Sequence, residues 1–402
     1  MTLRQIPAVR TALRLLSRYT QRLTPLGRGV LAAGLLSWLL GWRLGWQELF
    51  LAAATCFIAL LVGLLFTLGG ANLSVELEVD PSRVFVGTPA AGRVIVTNTS
   101  RQRLLPLRVD LPVGQAVAEF NIPSLGQGQV HDDLFVVPTH RRAVIDLGPA
   151  SSVRGDPLGL LRREAVSGQT EEVFVHPTVV QLGNLGAGLL RDLEGQTTRD
   201  NSNSDLAFHT LREYVEGDDR RYVHWRSSAK AGRLLVRQFL DTRRSRLTVV
   251  IDSSVHSYRT DEEFEIAVSV AASLGLRALR EDIDLTVVAA DHAVSNTGAQ
   301  RLLDTLSRVS PDQAPTSDLS ALVVRASRLA TDTSVAILIT GSVIPFADLH
   351  AATLFLGPDV RPMAIRVETD APTGIGRSGG LTVLGVRRLR DLPPLLASAV
   401  GT

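Results

Sequence analysis

A run of twenty residues without a single charge, 49–68 (LFLAAATCFIALLVGLLFTL), constrains this chain more than any other feature. In helical form twenty apolar residues span about 30 Å, the thickness of a bilayer's hydrocarbon core. A second apolar stretch, residues 29–42, stops at Arg43, whose long side chain can reach headgroups from a helix end. Trp38, Trp42 and Trp46 add rings that favour the membrane–water boundary. The pattern predicts two transmembrane helices within residues 29–70, with the turn near 41–46. A cleaved signal peptide describes it less well, because the apolar core starts late and a second span follows.

Residues 1–28 carry Arg4, Arg10, Arg14, Arg18, Arg22 and Arg28 and no acidic residue. Flanking positive charge stays on the cytoplasmic side. Two crossings then give a multi-pass cell-membrane protein whose soluble domains are cytoplasmic. Within this segment Ile6, Val9, Leu13, Leu16 and Leu23 recur at helical spacing, opposite Arg10, Arg14, Arg18 and Arg22. That is the pattern of an amphipathic helix lying on membrane lipid; a short cytoplasmic helix docked on the protein itself is the alternative.

Composition excludes several classes. With 42 basic and 40 acidic residues the chain has no charge excess for wholesale nucleic-acid binding. Cys56 is the one cysteine, which rules out an internal disulfide framework and any multi-cysteine metal site. A chain of 402 residues exceeds one ordinary core, so two folded domains are expected after the helices.

Residues 71–185 read as a β-sandwich. Leu73, Val75, Leu77 and Val79 alternate with Ser74, Glu76, Glu78 and Asp80, and further β-like runs cover 92–97, 105–111, 130–137, 143–147 and 172–175. His131, His140 and His176 stand apart and are expected at the surface. Residues 246–402 instead alternate strand and helix patterns: strands at 246–254, 284–290, 334–340, 360–367 and 381–386, and helices at 261–281, 299–309, 319–330 and 346–356. Such alternation predicts a doubly wound, largely parallel sheet. The fold class expected is therefore α+β multidomain: a two-helix membrane hairpin, a β-sandwich and an α/β domain. Ligands of such sheets bind beyond the carboxyl ends of the strands. Here those ends carry Asp252-Ser253-Ser254, Asp291-His292 and Thr340-Gly341-Ser342. No glycine-rich dinucleotide fingerprint or phosphate loop is present, and Gly183–Gly188 reads as flexible linker.

Between the two domains, residues 186–245 hold a linker and the densest stretch of the chain, residues 212–241 (REYVEGDDRRYVHWRSSAKAGRLLVRQFLD). The turn Glu216-Gly217-Asp218-Asp219 needs a tight reversal beside Arg220 and Arg221. Three readings compete: a hydrogen-bonded brace joining two domains, a partner-binding surface anchored on arginine and aromatic groups, and an active site made of Glu213, Asp218 and His224.

This stretch resembles the domain of unknown function 58 family. Arg212, Glu213, Tyr214, Gly217, Asp218, Asp219, Arg221, His224, Trp225, Ser228, Ala229, Lys230, Gly232, Leu234, Val236 and Arg237 match its segment. Upstream, Asp156-Pro157-Leu158-Gly159-Leu160 is similar to the family's Asp-Pro-Phe-Gly-Leu turn, with Leu158 in place of the aromatic. The resemblance implies a von Willebrand factor A-like α/β domain behind a β-sandwich. It also implies association with MoxR-type AAA+ ATPases. A von Willebrand factor A-type Mg²⁺ site needs Asp-x-Ser-x-Ser with a further Thr and Asp. Asp252 and Ser254 match its first two positions; His256 replaces the last Ser, and Thr340-Gly341-Ser342 lacks the Asp. With two oxygen ligands replaced, no resident cofactor is expected. The chain thus reads as a membrane-anchored, non-enzymatic interaction or adaptor protein. The alternative is a membrane-bound hydrolase using Glu213, Asp218 and His224.

Overall fold

The computed structural model describes residues 23–67, 73–185, 206–215, 218–241, 246–313 and 318–400. Residues 1–22 of the expected amphipathic segment (1–28), most of the linker, and Glu216 and Gly217 of the expected turn lie outside them. Two compact units divide the chain, Met1–Val175 and His176–Thr402.

The first unit opens with two helices, α1 (Pro25–Leu44) and α2 (Gln47–Thr67). Thr24 caps α1, its Oγ1 accepting the Gly27 N–H at 3.0 Å, and Pro25 suits the first helical position because its missing N–H would be unpaired there. Gly45, at φ 70°, ends α1 in the left-handed conformation. The buried residues of α1 are Gly27, Gly34 and Gly41, one every seven. A Cβ on Gly34 would stand 3.0 Å from the Cys56 Cβ, and one on Gly41 3.2 Å from the Leu49 Cβ. Absent side chains therefore let the two backbones approach. Among the described helices, one is long and apolar enough to cross a membrane, over Gln47–Phe66. α1 has the length, but Arg28, Arg43 and four glycines dilute its apolar content.

Ten strands follow: β1 (Leu73–Val79), β2 (Arg83–Phe85), β3 (Ala90–Asn98), β4 (Leu107–Val113), β5 (Ala116–Ile122), β6 (Val130–Val137), β7 (Ala143–Leu147), β8 (Ala150–Gly155), β9 (Arg162–Ser167) and β10 (Glu171–His176). They form one sheet in the order β1-β3-β6 and a second in the order β2-β10-β7-β4-β8-β9, with β5 paired to β4. Strict alternation of buried and outward residues in β3 and β4 is the period-two signature of a sheet with one face covered. Val75, Val94, Val96, Phe135 and Val137 of the small sheet share one core with Leu107, Val109, Leu111, Val173 and Val175 of the large one. Of the strands that the pattern did not predict, β2, β8 and β9 are short or polar (RVF, ASSVRG, RREAVS), whereas β5 (AVAEFNI) does alternate, with Phe120 and Ile122 buried, and was passed over. His131 bonds Asp133 at 3.2 Å.

The second unit contains two sheets. The charged stretch, for which the sequence pattern assigns no elements, forms the hairpin β11 (Leu206–Glu213) and β12 (Leu235–Asp241), with helix α3 (Trp225–Ala231) between the strands. The other sheet is built from β13 (Arg246–Ile251), β14 (Asp284–Ala289), β15 (His292–Ser295), β16 (Val335–Thr340), β17 (Arg361–Val367), β18 (Gly374–Ser378) and β19 (Leu381–Val386). Its order is β15-β14-β13-β16-β17-β19-β18. The five inner strands are parallel and the two edge strands antiparallel. Helices α4 (Asp261–Arg280), α5 (Ala299–Arg308), α6 (Leu319–Leu329), α7 (Phe346–Thr353) and α8 (Leu392–Val400) cover it. Alternate residues of each strand serve opposite faces: Leu247, Val249 and Ile251 pack with α4, α5 and α8, whereas Val250 packs with α6 and α7. This is the two-faced burial that makes parallel strands read as continuous apolar runs. Leu182 and Leu185, in the stretch taken for the end of the β domain and the start of a linker, are buried in this core instead. His176, expected at the surface, is also buried, 2.8 Å from Asp304.

Candidate functional site

Two places in the second unit gather polar side chains on rigid elements. The first is the point where the sheet order reverses. In sequence the inner strands run β13, β14, β16, β17, β19, but in space β14 lies on one side of β13 and β16 on the other. Loops leaving β13 and β16 therefore diverge, and such a crevice is the ligand position in doubly wound sheets. Asp252 directly follows β13 and Thr340 ends β16, both fully buried. Thr340 Oγ1 donates to Asp252 Oδ2 at 2.7 Å and the Ser254 N–H donates to Oδ1 at 3.1 Å. The Ser257 hydroxyl adds a third bond. Burial pushes the Asp252 carboxyl above its ordinary value, and these donors oppose that rise.

Around this carboxyl stands a second layer. The Tyr258 hydroxyl donates to the Asp252 carbonyl at 2.6 Å, and its ring meets Phe264 edge-on. Glu263, in the first turn of α4 and almost fully buried, accepts the Arg259 N–H at 2.9 Å and the Ser342 hydroxyl at 2.9 Å. Burial first, then the carboxylates of Asp252 and Glu263, holds the Tyr258 phenol well above its usual range. Neither Glu263 nor Tyr258 is legible as part of this group from sequence, since each sits inside an ordinary amphipathic or loop pattern.

The Mg²⁺ implied by a von Willebrand factor A-type domain does not fit these residues. Donors, not lone pairs, already face the Asp252 oxygens. His256 stands exposed at the third motif position, where its backbone N–H bonds the Ser254 hydroxyl at 3.3 Å. Glu263 is the other carboxylate bonded into this cluster, and its bonds go to Ser342 and loop amides. Among the described residues no three His, Cys, Asp or Glu side chains converge on a cation position.

The second place is the charged hairpin. Arg212 grips Asp218 in a bidentate pair, at 2.7 Å and 2.6 Å, and the Val215 N–H donates to the same carboxylate at 2.9 Å. The hydrogen bond from Arg212, then that from Val215, holds the Asp218 carboxyl below its usual range. Asp219 caps the turn Arg220–Tyr222 by accepting the Arg221 N–H at 2.9 Å. His224 caps α3, its Nδ1 taking the Ser227 N–H at 3.2 Å, and its own N–H donates to the Leu235 carbonyl at 2.8 Å. Ser228 ties α3 to β12, since its hydroxyl accepts the Leu235 N–H at 2.8 Å. Arg233 pairs with Glu213 at 3.3 Å, and the Tyr214 N–H reaches the Leu234 carbonyl at 2.9 Å. Each of these bonds closes within the segment. Left outward are Trp225, 65% exposed, with Arg220, Arg221, Arg226, Lys230 and Arg237.

Residues 210–385 match the family model described as Protein of unknown function DUF58. This region belongs to the DUF58 family. Both places just described fall inside the DUF58 region, whose match begins in β11 and ends in β19. No curated protein matches the chain. Similar solved structures include the CARDB domain of the PF1109 protein from Pyrococcus furiosus, in complex with di-metal ions. It is 16% identical over 26% of this chain and 92% of that one, at a TM-score of 0.20. The sporulation control protein Spo0M from Bacillus subtilis is 15% identical over 27% of this chain and 50% of that one, at 0.16. Likenesses this low fix neither fold nor function.

The Asp218 clamp has a testable consequence. Because its folded pKa is depressed, the pair's contribution is present above the ordinary aspartate value and is lost as pH falls through the lower folded value. Asp218→Ala should raise hydrogen exchange around Val215 and Tyr222 at neutral pH while leaving the midpoint of global unfolding nearly unchanged, since an exposed pair contributes little. A large drop in that midpoint would show that the segment carries stability beyond its own turn.

Proposed function

We propose that this chain is a membrane-tethered, non-enzymatic interaction protein whose DUF58 hairpin grips a protein partner, a MoxR-type AAA+ ATPase. The observation that carries this reading is how the hairpin divides its side chains. The three side chains of the hydrolase alternative are engaged in local bonds: Asp218 by Arg212, Glu213 by Arg233, His224 by Ser227. The exposed remainder is an aromatic ring among cations, the composition of an interface anchor. The resemblance to families that accompany MoxR-type ATPases supplies the partner. The parallel sheet with hydroxyl-bearing loops at its reversal point supports a von Willebrand factor A-like fold without the metal.

We infer further that both helices cross the membrane and leave the soluble units in the cytoplasm. Large apolar side chains lie outward on α1 as well as α2, among them Leu36, Trp42, Leu51 and Ile58. Contiguous exposed apolar surface of that extent needs lipid or a partner to cover it. The arginines of residues 1–28 support the orientation.

A photo-crosslinking residue in place of Trp225, in the full chain in native membranes, should capture a MoxR-type ATPase. Lys230→Glu should abolish that capture while leaving thermal unfolding within about 0.5 kcal/mol, as for an ordinary surface change. A hydrolytic activity of the purified chain that disappears in His224→Ala, with no crosslink at position 225, would replace this reading by the enzyme.

A further inference from the structure

Strands β8 and β9 are joined by the turn 156–161, the segment similar to the family's Asp-Pro-Phe-Gly-Leu turn. Asp156 is buried and closes the turn on itself, its carboxylate accepting the N–H groups of Leu158 at 3.0 Å and Leu161 at 2.5 Å. Gly159 takes φ 68°, which a β-branched residue would resist. A turn that satisfies its own amides in this way can lie against hydrocarbon, where unpaired backbone groups are costly.

Both helices hold this turn at their flanks. Thr24 Oγ1 donates to the Gly159 carbonyl at 2.7 Å and the Thr24 N–H to the Leu160 carbonyl at 3.0 Å. Leu23 and Leu161 form a β-bridge. A Cβ on Gly27 would stand 2.1 Å from the Leu160 oxygen, and one on Gly63 would stand 2.9 Å from Leu161 Cδ1 and 3.3 Å from the Asp156 Cγ. Gly27 lies two residues inside α1, and Gly63 four residues before the end of α2 at Thr67. At 1.5 Å per residue the turn therefore reaches about 3–6 Å below the helix ends rather than resting above them. At its tip Leu158 is 56% exposed, and Leu26 and Leu65 of the helices are exposed near the same level. Arg28 is exposed at the start of α1. Arg154 and Arg163 stand directly opposite each other across β8 and β9, next to the turn. Partial burial, then the charge of Arg163, lowers the Arg154 pKa. Like charges in directly opposed positions weaken a sheet, and an anion near them relieves the repulsion.

We propose that the turn 156–161 is a foot planted in the bilayer. Leu158 enters the boundary between headgroups and acyl chains, and Arg28, Arg154 and Arg163 meet the phosphates of anionic lipids around it. The foot rests on the membrane-tethered reading, and it adds a depth to it. An apolar tip ringed by cations is the composition of a segment that lies in an anionic interface.

The test uses the full chain, with its one cysteine removed as Cys56→Ser, reconstituted in vesicles of phosphatidylcholine and phosphatidylglycerol. Single cysteines at Leu158, Ile58 and Val117, all exposed positions, carry an environment-sensitive fluorophore, and lipids with a nitroxide high on the acyl chain act as quencher. Ile58 reports α2, and Val117 reports the far end of β5, whose partner Pro112 lies four residues along β4 from the Arg108 that pairs with β8. Leu158 should be quenched several-fold more than Val117, and less so in pure phosphatidylcholine. Quenching at Ile58 with Leu158 no different from Val117 would overturn the foot and leave the anchor standing. No quenching at Ile58 would overturn the membrane reading and the foot together. Equal quenching of Leu158 in both lipids would overturn the part given to the arginines.

Discussion

Gly341→Ala should destabilise the α/β unit by about 3 kcal/mol, at the upper end for an overpacked interior. A Cβ at that position would stand 2.3 Å from the Ser257 carbonyl oxygen and 2.6 Å from the Tyr258 ring. The first of these is backbone and has no rotamer to escape into. It also accepts the Val343 N–H at 3.1 Å. The loops after β13 and β16 would have to separate, and with them the Tyr258 bond to the Asp252 carbonyl. Denaturant unfolding of the full chain, followed by hydrogen exchange at the β13 and β16 amides, measures this. Wild-type protection in the Ala variant would mean that the crevice is looser than these distances require.

Asp252→Ala should destabilise by about 2–4 kcal/mol, because it strips the acceptor from Thr340, Ser254 and Ser257 inside a closed interior. Asp252→Asn should behave oppositely near neutral pH. The folded pKa of Asp252 is raised, so its stabilising share is full below the unfolded value of about 3.9 and fades as pH rises through the folded value. Asparagine keeps an acceptor and removes the charge. Its chain should therefore gain on wild type as pH climbs from the unfolded aspartate value toward neutrality. Unfolding midpoints of both chains across that range decide the matter. Parallel pH profiles would mean that burial does not raise this carboxyl's pKa, and Mg²⁺ that stabilises wild type and not Asp252→Asn would mean that a cation does sit on it.

Much of the α/β unit was legible because parallel strands buried on both faces leave near-continuous apolar runs, as in 247–251 and 335–339, and amphipathic helices leave a 3.6-residue repeat between them. Short polar strands such as β8 and β9 left neither signal. The charged stretch was visible as a cluster, and its resemblance to DUF58 rested on identities at fixed spacing. Its hairpin was not visible, because the pairing of Glu213 with Leu235 brings together residues twenty-two positions apart.

The sequence by itself determined the apolar run long enough to cross a bilayer, the periodicities of the β and α/β regions and the residue types in the DUF58 segment. These are properties of neighbours along the chain, and burial imposes them residue by residue. Tertiary structure alone decided which carboxylates are closed in and by what. Asp252 meets Thr340 across 88 positions, and Thr24 meets Gly159 across 135. Such contacts follow from how sheets and helices pack in three dimensions, and a local pattern carries no record of a partner that distant.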